Sequence, residues 1–299
     1  MLNPSEPKNI LLGSVDLALA SLPDASVDLV IADPPYGLGK DAGWDMVPDY
    51  GVWIQEVSRL LKPMGTAYIF GTPEIVAAHW SRFPEPKRWI TWQVSNRTTP
   101  SARNWQPTQE AIVMLWKGKT PWFNCDAVRE PYTPGYERSK GRVRPATLSR
   151  FGNRTTRYSD APGALPRDVI RGPGLSGPTG KRESLGHPCQ KPLWLMERLI
   201  KASCPVGGLV LDLYAGTATA SVAAQRLGRS WIAVERDARW GQIALERLLK
   251  EGSTGAQIVH LPKPMSPIEV RFWQQDLEAR MSALETALKD MRYEHEASI

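Results

Sequence analysis

The chain has 299 residues of ordinary apolar content, enough to bury a full core as one large domain or two small ones. No run approaches the roughly 18–20 apolar residues of a membrane helix, no signal-peptide pattern opens the sequence, and Cys125, Cys189, Cys204 and the four histidines show no metal-ligand spacing. The expected setting is therefore a reduced cytoplasm, with no membrane association and no structural metal. Net charge is +6, but residues 97–182 hold 16 basic and 6 acidic side chains, a balance of +10 that leaves −4 for the rest. A basic middle points to a polyanion partner, although a solvated arginine-rich loop would have the same composition.

In chain order, Asn9–Gly13 reads as a short strand, and Val15, Leu17, Leu19 and Leu22 as a helical patch. The apolar run from Val27 to Ala32 reads as a buried strand that must turn out at Asp33-Pro34-Pro35-Tyr36, because two prolines can neither extend a ladder nor enter a helix interior. A carboxylate, a rigid backbone and an aromatic ring are thus fixed at a strand's carboxyl end, where open α/β sheets bind ligands; an ordinary strand-ending turn uses the same residue types. The glycine-rich loop Gly37–Gly43 lacks P-loop spacing and reads as cover. Trp53, Val57, Leu60 and Leu61 recur at helical spacing, with Lys62-Pro63 as the stop, and Thr66–Phe70 is the next strand.

Trp89–Val94 and Ala111–Trp116 are two further candidate strands. From about Pro121 to Gly186 periodicity disappears, and Arg138, Arg142, Arg144, Arg150, Arg154 and Arg157 are interleaved with Tyr132, Tyr136, Phe151 and Tyr158. That mixture suits contacts to nucleic-acid backbone and bases, and a disordered insert is the plainer alternative. Pattern resumes with His187-Pro188-Cys189-Gln190-Lys191-Pro192 before a helix with Leu195, Met196, Leu199 and Ile200 on one face. Leu209–Leu213 is a buried strand, Tyr214–Ala218 a turn, Thr219–Leu227 a helix, and Trp231–Val234 a strand ending in Glu235. Gln257–Val259 is β-like. Beyond it Leu277, Met281, Leu284, Leu288 and Met291 form a short a/d seam, expected first to dock on the body of the protein and second to contact another copy in a homodimer.

The turn after Leu213 has one glycine, Gly216, where a dinucleotide fingerprint needs several. A nucleoside cofactor without a pyrophosphate, such as S-adenosylmethionine, needs fewer close approaches, and Glu235, 23 residues after Asp212, is placed to bind ribose hydroxyls. Asp33 and the Pro34 carbonyl are placed to accept hydrogen bonds from one exocyclic amine, with Tyr36 stacking on its ring. A base presented in this way has first left the duplex stack.

These segments together resemble the β class of amino-group DNA methyltransferases, which modify adenine N6 or cytosine N4. Asp33-Pro34-Pro35-Tyr36 matches the catalytic motif, and Leu60–Thr66 the segment after it. His187–Pro192 resembles the family's His-Pro-x-Gln-Lys-Pro strap, Asp212–Thr219 its cofactor loop, and Glu235 its ribose-binding acid. The order of these motifs is that of the β class. The chain departs where a second glycine is usual, at Ala218, and where Gly-Asp is usual, at Gly13-Ser14.

The resemblance implies a Rossmann-like, S-adenosylmethionine-dependent α/β sheet with an inserted, irregular target-recognition region. It divides the chain into a catalytic half (1–95), a target-recognition region (96–186), a cofactor half (187–262) and a C-terminal helical extension (263–299). Asp33, Pro34, Pro35 and Tyr36 are the expected catalytic residues. Asp33, His187, Gln190, Lys191, Asp212, Tyr214, Ala215, Gly216, Thr217 and Glu235 are expected to hold the cofactor, and the six arginines to hold double-stranded DNA. Asp at the head of the catalytic motif favours adenine. Cytosine N4, an inactive DNA-binding descendant of the fold, and an RNA substrate are the rival expectations.

Overall fold

The computed structural model describes residues 8–37, 50–97, 103–143 and 159–262. The chain divides into two units, 1–261 and 262–299. The expected glycine-rich loop beyond Gly37, the C-terminal seam, and Arg144, Arg150, Arg154 and Arg157 lie outside the described residues.

The elements of the first unit, in order, are β1 (Lys8–Leu12), α1 (Val15–Ser21), β2 (Val27–Ala32), α2 (Tyr50–Leu60), β3 (Leu61–Gly71), α3 (Pro73–His79), β4 (Lys87–Val94), β5 (Gln109–Trp116), α4 (Pro134–Glu137), β6 (Val169–Gly172), α5 (Gly177–Glu183), α6 (Leu193–Ser203), β7 (Leu209–Asp212), α7 (Thr219–Arg226), β8 (Ser230–Glu235), α8 (Ala238–Lys250) and β9 (Gln257–His260). The strands form one nine-stranded sheet in the order β6-β4-β5-β3-β2-β7-β8-β1-β9. Every described pairing is parallel except those of β5, which runs against both β3 and β4.

Both faces of the central strands are covered, which is why they read as continuous apolar runs rather than alternating ones. The period-two pleat sends Leu29, Ile31, Tyr68, Phe70, Val210 and Trp231 into one core with residues of α6, α7 and α8. Val30, Ala32, Ala67, Ile69, Leu211 and Ile232 enter the other with residues of α1, α2 and α3. The result is a three-layer α/β/α domain. Among the described residues no helix is long and apolar enough to cross a membrane.

The structure differs from the sequence-based expectation in three places. Lys62-Pro63 does follow the helix, but Leu61 already pairs with Val27 and Thr66 with Leu29, so Lys62–Gly65 bulges out of a strand that begins earlier than expected. The helix α3 went unread although Thr72 accepts a hydrogen bond from the Ile75 amide and Pro73 occupies the first turn. The stretch 121–186 is not wholly irregular: β6 adds an edge strand beside β4, and α5 follows it. Four residues with alternating exposure on a sheet edge carry too little apolar periodicity to be seen in sequence.

The winding of the chain across the sheet reverses between the parallel strands β2 and β7. From β2 the chain winds outward through α2 to β3; from β7 it winds the other way through α7 to β8. Ile31 pairs with Asp212, and the Leu213 amide donates to the Ile31 carbonyl at 3.0 Å. The two carboxyl ends therefore open side by side, and a crevice at such a reversal is where open α/β sheets take their ligands.

Candidate active site

A cavity of about 570 Å³ occupies that crevice. It is lined by the tips of β1, β2, β7 and β8 and by the strap 187–191, and it is of a size that takes a nucleoside-like ligand. All thirteen residues expected for catalysis or cofactor binding line it.

The Asp33 side chain is the hub. Its Oδ1 accepts a hydrogen bond from the Tyr36 hydroxyl at 2.6 Å, and its Oδ2 is ion-paired with the Lys191 ammonium. Lys191 is only 8% exposed and also lies 3.4 Å from the Tyr36 oxygen. Its charge sits 5.5 Å from the Tyr36 ring centre and 5.3 Å from that of Phe70, a cation–π setting. Burial pushes the Asp33 carboxyl up, the Lys191 charge opposes that rise, and Glu110 adds to it. The Tyr36 phenol is raised further still by burial and by Asp33, so it stays a hydrogen-bond donor.

The cofactor side is built on a strained turn. Gly216 and Ala218 both have positive φ, at 50° and 57°. Ala218 thus holds the left-handed conformation that glycine adopts without steric cost. Three groups fix the turn. Arg247 of α8 donates to the Thr217 carbonyl at 3.0 Å and to the Thr219 hydroxyl at 3.0 Å. Asp212 Oδ2 accepts from the amide and hydroxyl of Ser221, at 3.3 and 3.2 Å, serving the first turn of α7 in place of the side-chain cap that Ala218 cannot supply. Glu235 Oε2 accepts from the Gly216 amide at 2.7 Å, while Oε1 accepts from the Arg236 and Asp237 amides, both at 2.8 Å.

Three fixed backbone donors orient the Glu235 carboxylate and leave lone pairs for ligand hydroxyls. Asp212, 5% exposed, has its carboxyl pushed up to about 7 by burial.

In the strap, His187 packs edge-on against Trp240 with ring centres 4.6 Å apart. Burial, and secondarily the Lys191 charge, bring its imidazole down to about 4, so it is neutral near pH 7. Gln190 lines the cavity, but its amide is engaged outside it: Oε1 accepts from the Leu185 amide at 2.9 Å and Nε2 donates to the Glu183 carbonyl at 3.0 Å. It anchors the strap to the end of α5.

Of the expected DNA-contacting arginines, Arg138 and Arg142 are described and exposed. Nearby, Tyr132 and Tyr136 stack on each other at 4.3 Å instead of presenting two separate rings.

Sequence reasoning missed Trp240, Asp237 and the β1 tip (Gly13–Asp16) on the cofactor side, and Glu110 behind Lys191. Glu110, 8% exposed at the head of β5, pairs with Arg97 at 2.7 Å and lies 3.5 Å from Lys191. The one available signal was an acid directly ahead of the apolar run Ala111–Trp116.

Comparison with known proteins fits this geometry. A family model described as DNA methylase, covering N6 and N4 enzymes, matches residues 27–246. The chain is 31% identical over 248 residues to the type II methyltransferase M.HpaI of Haemophilus parainfluenzae, spanning 78% of this chain and 72% of that one. It is 29% identical over 259 residues to the DNA adenine methyltransferase YhdJ of Escherichia coli, spanning 82% and 83%. In fold it is similar to the cytosine-N4-specific PvuII DNA methyltransferase, with a TM-score of 0.55 at 14% identity over 86% of this chain and 98% of that one.

Proposed function

The chain belongs to the DNA methylase family of N6 and N4 amino-group methyltransferases, and we propose that it is a site-specific adenine-N6 enzyme using S-adenosylmethionine. The observation that carries this reading is the Asp33 carboxylate at the tip of β2, opening into the same cavity as the Glu235 carboxylate at the tip of β8. One acid is suited to an amine acceptor and the other to the hydroxyls of a nucleoside donor. Aspartate at the head of the catalytic motif and the likeness to an adenine methyltransferase favour adenine over cytosine.

The residues present fit the methyl donor. Glu235 offers fixed acceptors for ribose hydroxyls, Gly216 allows close approach of the turn, and His187 with Trp240 closes the side of the cavity. When bound, S-adenosylmethionine supplies a methyl group on a sulfonium and leaves as the neutral thioether. Asp33 and the Pro34 carbonyl would each accept one N–H of the target amine, aiming its lone pair at the methyl carbon. Tyr36 would hold Asp33 in that orientation. Once the nitrogen–carbon bond has formed, the Asp33 carboxylate would take the proton that the cationic amine sheds and pass it to solvent. Most of the rate gain would come from alignment and from the negative field of Asp33 on the developing positive charge. Residues 96–186 would read the DNA, with Arg138 and Arg142 on its phosphates.

Mapping modified bases in DNA from a host expressing the chain, beside a host expressing Asp33→Ala, tests the reading. N6-methyladenine in one sequence context with the parent alone is the expected result. N4-methylcytosine alone would overturn the choice of base. Absence of modification from both hosts would overturn the enzyme reading.

A further inference from the structure

Glu110 has no part in the proposed mechanism, yet it is a buried carboxylate placed against it. It heads β5, the reversed strand, whose first residues lie beside the carboxyl end of β3: Ala111 pairs with Gly71 and Ile112 with Phe70. Reversal brings the start of a strand to the edge where its neighbours end. One carboxylate oxygen, Oε1, accepts from Arg97 Nη2 at 2.7 Å. The other, Oε2, is buried and has no hydrogen-bond partner, and Lys191 Nζ lies 3.5 Å away. Buried carboxylate oxygens seldom lack a partner, and the cation within reach of this one is Lys191.

Lys191 thus stands between two acids. It is bonded to Asp33 and one short step from Glu110. The Tyr36 and Phe70 rings both lie beside its ammonium, at 5.5 and 5.3 Å from the ring centres. The bond to Asp33 is at odds with the task assigned to that residue. Oδ1 already accepts from Tyr36, and Oδ2 is covered by a cation where the target amine would have to arrive. A lysine charge there would also repel a nitrogen that becomes positive as it gains its methyl group.

We infer that Glu110 is a positioning residue that draws Lys191 off Asp33 when the target base enters, uncovering Oδ2 and moving positive charge away from the reacting nitrogen. Arg97 holds Glu110 by its far oxygen, so that Oε2 stays aimed at the lysine. Asp33, Lys191, Glu110 and Arg97 thus alternate acid and base in one connected chain. Without Glu110, the incoming amine meets a carboxylate already neutralised by its lysine. The inference rests on the functional reading proposed for the site, because only an amine acceptor requires Asp33 to be uncovered.

The test uses the full chain with DNA carrying its mapped recognition sequence, and the variants Glu110→Gln, Lys191→Met and their combination. Glu110→Gln keeps an acceptor for Arg97 and removes the charge. It is expected to slow single-turnover methyl transfer by about 10–100-fold while leaving the S-adenosylmethionine Kd within about twofold, an effect on chemistry of the size that a positioned charge supplies. In the Lys191→Met background the same change is expected to cost less than about threefold, because there is no lysine left to draw away.

A second readout needs no turnover. With S-adenosylhomocysteine present, Glu110→Gln is expected to weaken binding to DNA bearing the target base by about 3–10-fold, and not to DNA abasic at that position. Equal losses with and without Lys191, equal losses on both DNAs, or an unchanged rate would each overturn the inference. If Glu110→Gln does not fold, Arg97→Gln carries the test: slowed chemistry with intact cofactor binding supports the inference, and unchanged chemistry overturns it. A parent chain that methylates no DNA overturns the functional reading and this inference with it. An active parent matched by Glu110→Gln overturns the inference alone.

Discussion

The imidazole of His187 lies over Gly216, so close that a β-carbon on the glycine would sit 3.2 Å from Nε2. The strap that precedes α6 and the turn that follows β7 are therefore packed backbone against ring, so closely that a side chain on the glycine would have to push the imidazole aside. Gly216→Ala meets both this contact and the penalty for an L-residue at a φ of +50°. The expected outcome is a chain that folds but binds S-adenosylmethionine about 10-fold or more weakly, by calorimetric titration, as the turn shifts away from Glu235.

Ala218 already occupies a left-handed position, and it is fully buried. Glycine there relieves about 1 kcal/mol of backbone strain and loses about 0.8 kcal/mol of buried methyl, so Ala218→Gly should change stability by less than about 1 kcal/mol. Valine is β-branched and strongly disfavoured at positive φ, so Ala218→Val should cost about 2 kcal/mol or more. Urea denaturation of both variants checks the contrast. Equal losses would show that packing around the methyl group, and not backbone conformation, governs the site.

Tyr36→Phe removes the 2.6 Å bond to Asp33 and keeps the ring. A hydrogen bond to a charged group is worth about 1.5–3 kcal/mol, so misorienting the carboxylate should slow single-turnover methyl transfer at least about 10-fold. Cofactor affinity should stay the same. A fall in affinity matching the fall in rate would assign Tyr36 to donor binding instead.

Asp212 and His187 pull stability in opposite directions with pH. The Asp212 carboxyl is raised to about 7 in the fold from an unfolded value near 3.8. Its contribution is present in full below about 3.8 and is lost as pH rises through 7. His187, lowered to about 4 from 6.5, contributes above 6.5, and that contribution is lost as pH falls toward 4. Asp212→Asn, which keeps an acceptor for Ser221, should therefore gain stability over the parent between about pH 4 and pH 8, by about 1–3 kcal/mol at the upper end. Urea midpoints at about pH 4.5, 6 and 8 measure the gap. A gap that closes as pH rises would contradict the burial of a charge at Asp212.

The residues that were singled out in the sequence and that line one cavity in the structure are those whose chemistry is local. Asp33-Pro34-Pro35-Tyr36 announces itself because two prolines force a turn wherever they occur, and the Asp212–Glu235 unit because strand, turn, helix and strand follow one another without interruption. Glu110 could not be read in this way. Its importance depends on β5 running backwards, and strand direction leaves no mark on composition. Gln190, expected to hold the cofactor, lines the cavity, and the structure adds what its motif does not show: its amide bonds backbone groups of residues 183 and 185. β6 was invisible because edge strands owe their place to a neighbour's free hydrogen-bonding groups more than to their own apolar pattern.

Ile31 and Asp212, partners at the centre of the sheet, are 181 residues apart in the chain. During synthesis the turn at Asp33 leaves the ribosome long before the strand that completes its crevice, and such distant pairing is slow to form. A partly made chain therefore has no donor pocket. Because the donor binds only after this late pairing, its cellular concentration should favour the finished fold over the open one. Starvation for the donor would then lower the amount of intact protein as well as its turnover.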